Sequence, residues 1–147
     1  MSKAAQKNAG IFLIDDQPMV RRGLKQLLTQ ESHVICGEAG SQREALEKIG
    51  SAHADIAVLD ISLGRECGLD LIEALHKQGM RVLVYSIHEN VETVEKAFAA
   101  GADGYVCKRE TEDVLFRAIA DLMAGRRHVN PRAARGVAHR TLFTSKG

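Results

Sequence analysis

Five times along this chain a short apolar run gives way to a stretch with helical spacing, and that alternation limits the possible folds more than any other feature. The runs are IFLID (11–15), HVICGEA (33–39), DIAVLDI (55–61), RVLVYSI (81–87) and GYVCK (104–108). IFLID has the length and character of a strand buried on both faces, and the other four also read as strands. PMVRRGLKQLLTQ (18–30) puts Met19, Leu24, Leu27 and Leu28 near helical spacing, with Pro18 tolerated in the first turn. SQREALEKIGS (41–51) opens on a capping box, Ser41 to Glu44. LDLIEALHKQG (69–79) stops at Gly79, and NVETVEKAFAAGA (90–102) ends in Gly101. ETEDVLFRAIADLMAG (110–125) begins with acids and ends at Gly125. A (βα)5 alternation predicts an α/β fold, a doubly wound parallel sheet with helices on both faces.

The 147 residues suit one domain, and 45% hydrophobic content is enough to fill its core. A net charge of +1 gives no overall bias towards nucleic acid or membrane. The charge is unevenly placed: residues 1–124 carry 14 Lys/Arg and all 19 Asp/Glu, whereas residues 125–147 carry 6 Lys/Arg and no acid. No apolar run approaches the roughly 18 residues that span a bilayer, and MSKAAQKNAG lacks the apolar core of a secretory signal. Cys36, Cys67 and Cys107 are too few and too scattered for a disulfide framework or a metal site. The expected location is the cytoplasm, without a membrane partner. The expected organisation is a flexible N-terminal segment (1–10), one domain (11–127) and a linker or tail (128–147). In that tail NPRAARGVAHR (130–140) suits one short helix capped by Asn130. A lone short helix without a core cannot hold a pose in a DNA groove, so the basic tail is expected to be a linker.

In open parallel sheets, sites lie beyond the carboxyl ends of the strands, where strand order reverses. Those ends carry Asp15 and Asp16, Asp60, Ser86 and Lys108. They converge on one edge if the sheet runs 2-1-3-4-5. Two like charges about 4 Å apart repel by about 4 kcal/mol at an effective dielectric near 20. Clustered carboxylates therefore need raised pKa values, a cation, or both. Hard oxygen ligands in a small open site suit Mg²⁺, and Lys108 adds a mobile positive charge. Taken singly, each residue has a plainer reading. Acids after a strand often cap helices, a serine means little, and a lysine is usually solvated. The set at four strand ends points to a site. Cys107 reads as core filler, and His88 reads equally as a site-mouth residue or a solvated loop histidine.

LIDDQPMVRRGL, ADIAVLDISLGRECGLDLI, VLVYSIHEN and AGADGYVCKRE together resemble the receiver domain of two-component response regulators, over roughly residues 11–127. The phrasing is most similar to the NarL/FixJ-like, LuxR-type branch, with Arg109 where a proline usually follows the lysine. The resemblance implies a flavodoxin-like fold with strand order 2-1-3-4-5. It implies that Asp60 is the phosphoacceptor for a sensor histidine kinase, with Mg²⁺ held by Asp15 or Asp16, Asp60 and the backbone carbonyl of Ser62. It implies that Ser86 and Lys108 bind phosphoryl oxygens, and that Tyr105 swings inward when Ser86 moves. A phosphorylation-dependent homodimer is expected. DNA is expected to be reached only through a C-terminal helix-turn-helix domain, for which this chain has no room. A single-domain receiver acting through protein contacts is the alternative. The chain departs from the pattern at SLGRECG, where Gly64 replaces the usual proline and makes the loop freer, while Gly68 is kept. It departs again at Ile87, where a smaller residue is usual. A stiff β-branched side chain there is expected to overhang the site mouth and to slow labelling by small phosphodonors.

Two other classes compete. Phosphatases that use an aspartyl phosphate need a second Asp two residues after the nucleophile, and position 62 is serine. The chain is therefore expected not to be a turnover enzyme. A flavodoxin-like binding module without phosphorylation would lack a metal-sensitive site.

Overall fold

Strand-length apolar runs and amphipathic helices assemble as the alternation requires. The computed structural model describes residues 8–129. β1 (Gly10–Ile14), α1 (Pro18–Gln30), β2 (Val34–Ala39), α2 (Gln42–Ala52) and β3 (Ile56–Leu59) come first. A two-stranded hairpin follows, β4 (Ser62–Leu63) and β5 (Glu66–Cys67). A 3₁₀ turn (Gly68–Leu71) leads into α3 (Ile72–Lys77), then β6 (Arg81–Ser86) and α4 (Val91–Ala99). β7 (Gly104–Cys107), α5 (Glu112–Met123) and β8 (His128–Val129) complete the described chain. The main sheet is parallel, in the order β2-β1-β3-β6-β7-β8. Once the hairpin strands are set aside, the five expected strands stand in the expected 2-1-3-4-5 order.

The period of two along each strand feeds two cores. Phe12, Ile14, Ala57, Leu59, Val82 and Val84 face one side, with Ile49 of α2, Leu75 of α3 and Val94 of α4. Ile11, Leu13, Val58, Leu83 and Val106 face the other, with Leu24 and Leu28 of α1 and Leu115 and Ile119 of α5. Residues 11–14 are wholly buried. Burying side chains of this kind contributes roughly 1.5–3 kcal/mol each. That explains a continuous apolar run where an antiparallel strand would alternate.

Three features differ from the sequence expectation. The sheet starts at Gly10, and Ala9 is already buried, within the segment expected to be flexible. His128 and Val129 add a sixth strand parallel to β7, past the expected boundary at 127. The expected helix over 130–140, and the tail charge beyond Val129, lie outside the described residues. Third, the SLGRECG loop is a hairpin. Gly64 has φ +61°, and Arg65, the other turn residue, has no positive φ, the pattern of a type II′ turn that favours glycine first. The capping box is half made. Ser41 accepts the Glu44 N–H at 3.1 Å, but the Glu44 carboxylate reaches back to the Gly40 N–H instead of that of Ser41. Among the described residues no helix is long and apolar enough to cross a membrane.

Gly68 shows how closely the hairpin is folded onto the end of β3. A Cβ at this position would stand 2.2 Å from the carbonyl oxygen of Asp60. Gly23, inside α1, has nothing within 4 Å of the corresponding point. Gly68→Ala is therefore expected to destabilise the protein by about 1–3 kcal/mol through overpacking. Gly23→Ala is expected to stabilise it by about 0.5–1 kcal/mol through helix propensity alone. Urea unfolding of both variants checks the pair, and a neutral Gly68→Ala would contradict the close approach.

Candidate functional site

β1 ends at Ile14, and the two acids that follow meet different surroundings. Asp15 is only 3% exposed, whereas Asp16 is open to solvent. The Asp15 backbone N–H donates to the Ala39 carbonyl at 3.0 Å, extending the β1–β2 ladder by one step. Its Oδ1 accepts the Gln17 N–H at 2.9 Å. Asp16 Oδ2 accepts the Gly64 N–H at 2.9 Å, which pins the hairpin to the acid pair. The glycine that frees this loop in sequence also lets its backbone reach the site.

Asp60 follows β3 and is 8% exposed. Its N–H donates to the Ile14 carbonyl at 2.9 Å, which places the two strand ends side by side. Its Oδ1 accepts the Ser62 N–H at 3.0 Å. Oxygens of Asp15, Asp16 and Asp60 all lie within 4.8 Å of one another. Lys108, just past β7, reaches into this cluster. Its Nζ lies 2.9 Å from Asp60 Oδ2 and 3.0 Å from Asp15 Oδ2.

Burial dominates the electrostatics. It pushes the Asp60 pKa up, and the bonds from Lys108 and Ser62 only partly oppose this. Burial alone would lower the Lys108 pKa, but its contacts with Asp60 and Asp15 outweigh it and hold the ammonium firmly charged. Tyr85, unremarked in the sequence, adds a ring whose centroid is 5.7 Å from Lys108 Nζ, a cation–π distance.

Ser86 and Tyr105 form a neighbouring network. The Lys108 N–H donates to the Ser86 carbonyl at 2.7 Å, and Ser86 Oγ accepts the His88 N–H at 3.1 Å. The Tyr105 hydroxyl donates to the His88 carbonyl at 2.8 Å. Burial pushes the Tyr105 pKa up to about 12. Tyr105 is fully buried, so the inward position expected only after switching is already occupied. His88 takes part through its backbone. Ile87 is 64% exposed and stands in solvent beside the strand end. Cys107 is buried, with Sγ 3.2 Å from Glu89 Oε1, as the core reading expects.

The donor set fits a hard divalent cation. It is all oxygen, and one of its three acids is open to water. Three carboxylates against one ammonium leave a formal charge of −2. Mg²⁺ suits such a site because it keeps several waters and needs few carboxylates. Ser62 lies exposed beside Asp60.

The raised Asp60 pKa has a consequence for stability. The folded state holds this proton more tightly than the unfolded chain, whose value is near 3.8. The ionised carboxylate therefore costs stability above its folded pKa, and the cost disappears as pH falls towards the unfolded value. Without divalent cations, Asp60→Asn is expected to stabilise the protein near pH 7.5 by on the order of 1 kcal/mol. The advantage is expected to shrink towards pH 4. Urea unfolding in EDTA at both pH values checks this, and a pH-independent difference would contradict it.

Comparison with known proteins matches this chain to one family. The model of the response regulator receiver domain matches residues 11–120. DevR/DosR of Mycobacterium tuberculosis, a DNA-binding transcriptional activator, is 39% identical over 127 residues, covering 84% of this chain and 58% of that protein. The nitrate/nitrite response regulator NarL of Escherichia coli is 33% identical, covering 82% and 57%. This chain thus spans under two thirds of the length of these relatives. A two-component response regulator of the LuxR family from Aurantimonas superposes with a TM-score of 0.87 at 31% identity, covering 92% of this chain and 99% of that one. The isolated receiver domain of RcsB from Salmonella enterica shares the fold, with a TM-score of 0.79 at 21% identity, covering 89% and 99%. The chain belongs to the response regulator receiver domain family, in its LuxR-type branch.

Proposed function

We propose that the chain is a phosphoacceptor switch, taking a phosphoryl group from a phosphohistidine of a sensor histidine kinase onto Asp60. The observation that carries this reading is the Asp60 carboxylate at a strand end, held by Lys108 at 2.9 Å within oxygen reach of two further acids. In the transfer, an Asp60 oxygen attacks phosphorus, a P–O bond forms and the P–N bond breaks. The imidazole leaves with the electron pair and takes up a proton. Phosphoryl transfer depends mainly on positioning and charge neutralisation. Lys108 supplies a fixed positive charge, and the Ser62 N–H orients the nucleophile. Asp15, Asp16, Asp60 and the Ser62 backbone carbonyl would hold Mg²⁺, which would supply further charge neutralisation on the phosphoryl oxygens. The chain's own chemistry is self-catalysed transfer and hydrolysis of the acyl phosphate, not turnover of a separate substrate.

The switch we propose differs in one step from the sequence expectation. Ser86 leaves the His88 N–H for a phosphoryl oxygen, and the His88 segment that holds Tyr105 is re-seated. Tyr105 starts inside, so the moving part is the 86–90 loop. A discrete two-state element of this kind is what a local charge change biases. The output, by likeness to the named transcriptional relatives, is control of transcription in the cytoplasm through a DNA-binding output domain, with phosphorylation promoting a homodimer.

The chain with Mg²⁺ and acetyl phosphate is expected to take up one phosphoryl group, seen as a shifted band on a phosphate-affinity gel. Asp60→Asn should abolish the shift, EDTA should prevent it, and Lys108→Ala should slow it strongly. Undiminished labelling of Asp60→Asn would remove the proposal.

A further inference from the structure

Arg21 lies in the first turns of α1, four residues beyond Gln17, and its side chain is 17% exposed. Its Nε donates to Glu38 Oε1 at 2.9 Å, and its Nη1 donates to the backbone carbonyl of Asp15. Glu38, on β2, is held in turn. Its second oxygen takes Lys25 Nζ at 2.6 Å, and its backbone carbonyl takes Lys48 Nζ at 2.8 Å. The bonds from Lys25 and then Arg21 outweigh burial and keep the Glu38 carboxylate ionised. A Cβ at Gly40 would stand 3.0 Å from Arg21 Nη1, so a side chain there would crowd the guanidinium.

The Asp15 carbonyl is a significant place to hold. Peptide units are planar, so fixing that oxygen fixes the whole Asp15–Asp16 peptide and the direction in which Asp16 leaves it. Asp15 is otherwise tied through its N–H and both carboxylate oxygens. Asp16 is exposed, and its side chain is anchored to the Gly64 N–H at the hairpin. A rigid fork that spans two acceptors is what a guanidinium offers and an ammonium does not.

We propose that Arg21 is a positioning residue. Braced by Glu38, it fixes the Asp15–Asp16 peptide and preorganises the acid pair for a divalent cation. The proposal rests on the cation-site reading of Asp15, Asp16 and Asp60 given above. Its sign separates it from simple electrostatics. A guanidinium near a cation site repels the ion, so removing its charge alone would tighten binding. Loss of positioning loosens it instead, and outer-shell partners of metal ligands are typically worth tenfold or more in affinity.

The test is Mn²⁺ binding to the full chain, read by water-proton relaxation, with far-ultraviolet circular dichroism on the same samples. Arg21→Met is expected to weaken Mn²⁺ binding by roughly tenfold. Arg21→Lys keeps the charge but cannot bridge Glu38 and Asp15, and is expected to weaken it by about threefold or more. It carries the test should Arg21→Met fail to fold. Glu38→Gln is expected to weaken binding in the same direction by releasing the brace. Arg43→Met, which removes an exposed arginine on α2 paired at 3.8 Å with Glu47, is expected to leave binding unweakened. In acetyl phosphate labelling, Arg21→Met should need more Mg²⁺ for half-maximal rate yet approach the wild-type rate at saturation. Unchanged or tighter Mn²⁺ binding in folded Arg21 variants, with wild-type binding intact, overturns the positioning role. A wild-type chain that binds no Mn²⁺ overturns the cation-site reading and this proposal with it.

Discussion

The Lys108 ammonium bridging Asp15 and Asp60 is the interaction on which the carboxyl edge of the sheet depends. Two buried carboxylates at neighbouring strand ends repel, and at a separation of about 4 Å that costs about 4 kcal/mol at an effective dielectric near 20. One buried cation between them reverses the sign of the nearest contacts. The reversal is partial by construction. Three acids and one base leave negative charge in excess, and burial keeps the Asp60 pKa raised even with Lys108 bonded to it. A site that satisfied its charges fully would gain nothing from a further cation. This one is left with a net negative charge.

The backbone delivers these groups with little freedom. Asp60 donates its N–H to Ile14, Asp15 to Ala39 and Lys108 to Ser86, so each functional residue continues the ladder of the strand beside it. The hairpin closes the same edge from outside through Gly64 on Asp16. On its far side Gln42 Nε2 donates to the Cys67 carbonyl at 2.7 Å, tying the hairpin to the start of α2. Gly68 permits the fold-back, because any side chain there would enter the space of the Asp60 carbonyl. Asp60 thus sits between a rigid strand and a loop that is itself anchored at both ends.

The alternation and the residues at the strand ends were legible in the sequence, because apolar runs and helical spacing are local signals. The strand order came from the resemblance to receiver domains, since nothing local fixes which strands pair. Other features were hidden for physical reasons. Two-residue strands such as β4, β5 and β8 leave no periodicity to read. Asp15 and Asp16 are chemically identical neighbours, and only the packed structure buries one and exposes the other. The resemblance named Tyr105 as a switch residue, but its side-chain direction depends on the His88 carbonyl, seventeen residues earlier, which no local pattern shows. Tyr85 and Arg21 act through geometry alone, a ring beside an ammonium and a fork on a carbonyl, and nothing in their neighbourhood in the sequence marks either role.

The opposite end of the sheet shows why the charge imbalance is confined to one end. There, side-chain hydrogen bonds and ion pairs tie down the strand starts. His33 Nδ1 accepts the Ala9 N–H, and Asp55 accepts the Gly10 N–H at the head of β1. Asp103 accepts the Val82 N–H and pairs with His76, and Asp121 pairs with His128 at the head of β8. Burial lowers the His33 pKa, which keeps its ring neutral and able to accept the bond. Each tie fixes where a strand begins, and a strand whose start and side-chain packing are fixed has no slack with which to relax its far end. The charge imbalance at Asp15, Asp16, Asp60 and Lys108 therefore cannot dissipate by strand slippage, since a one-residue shift would turn every core side chain to the wrong face. The site's unsatisfied negative charge is left as a property on which an incoming cation can act.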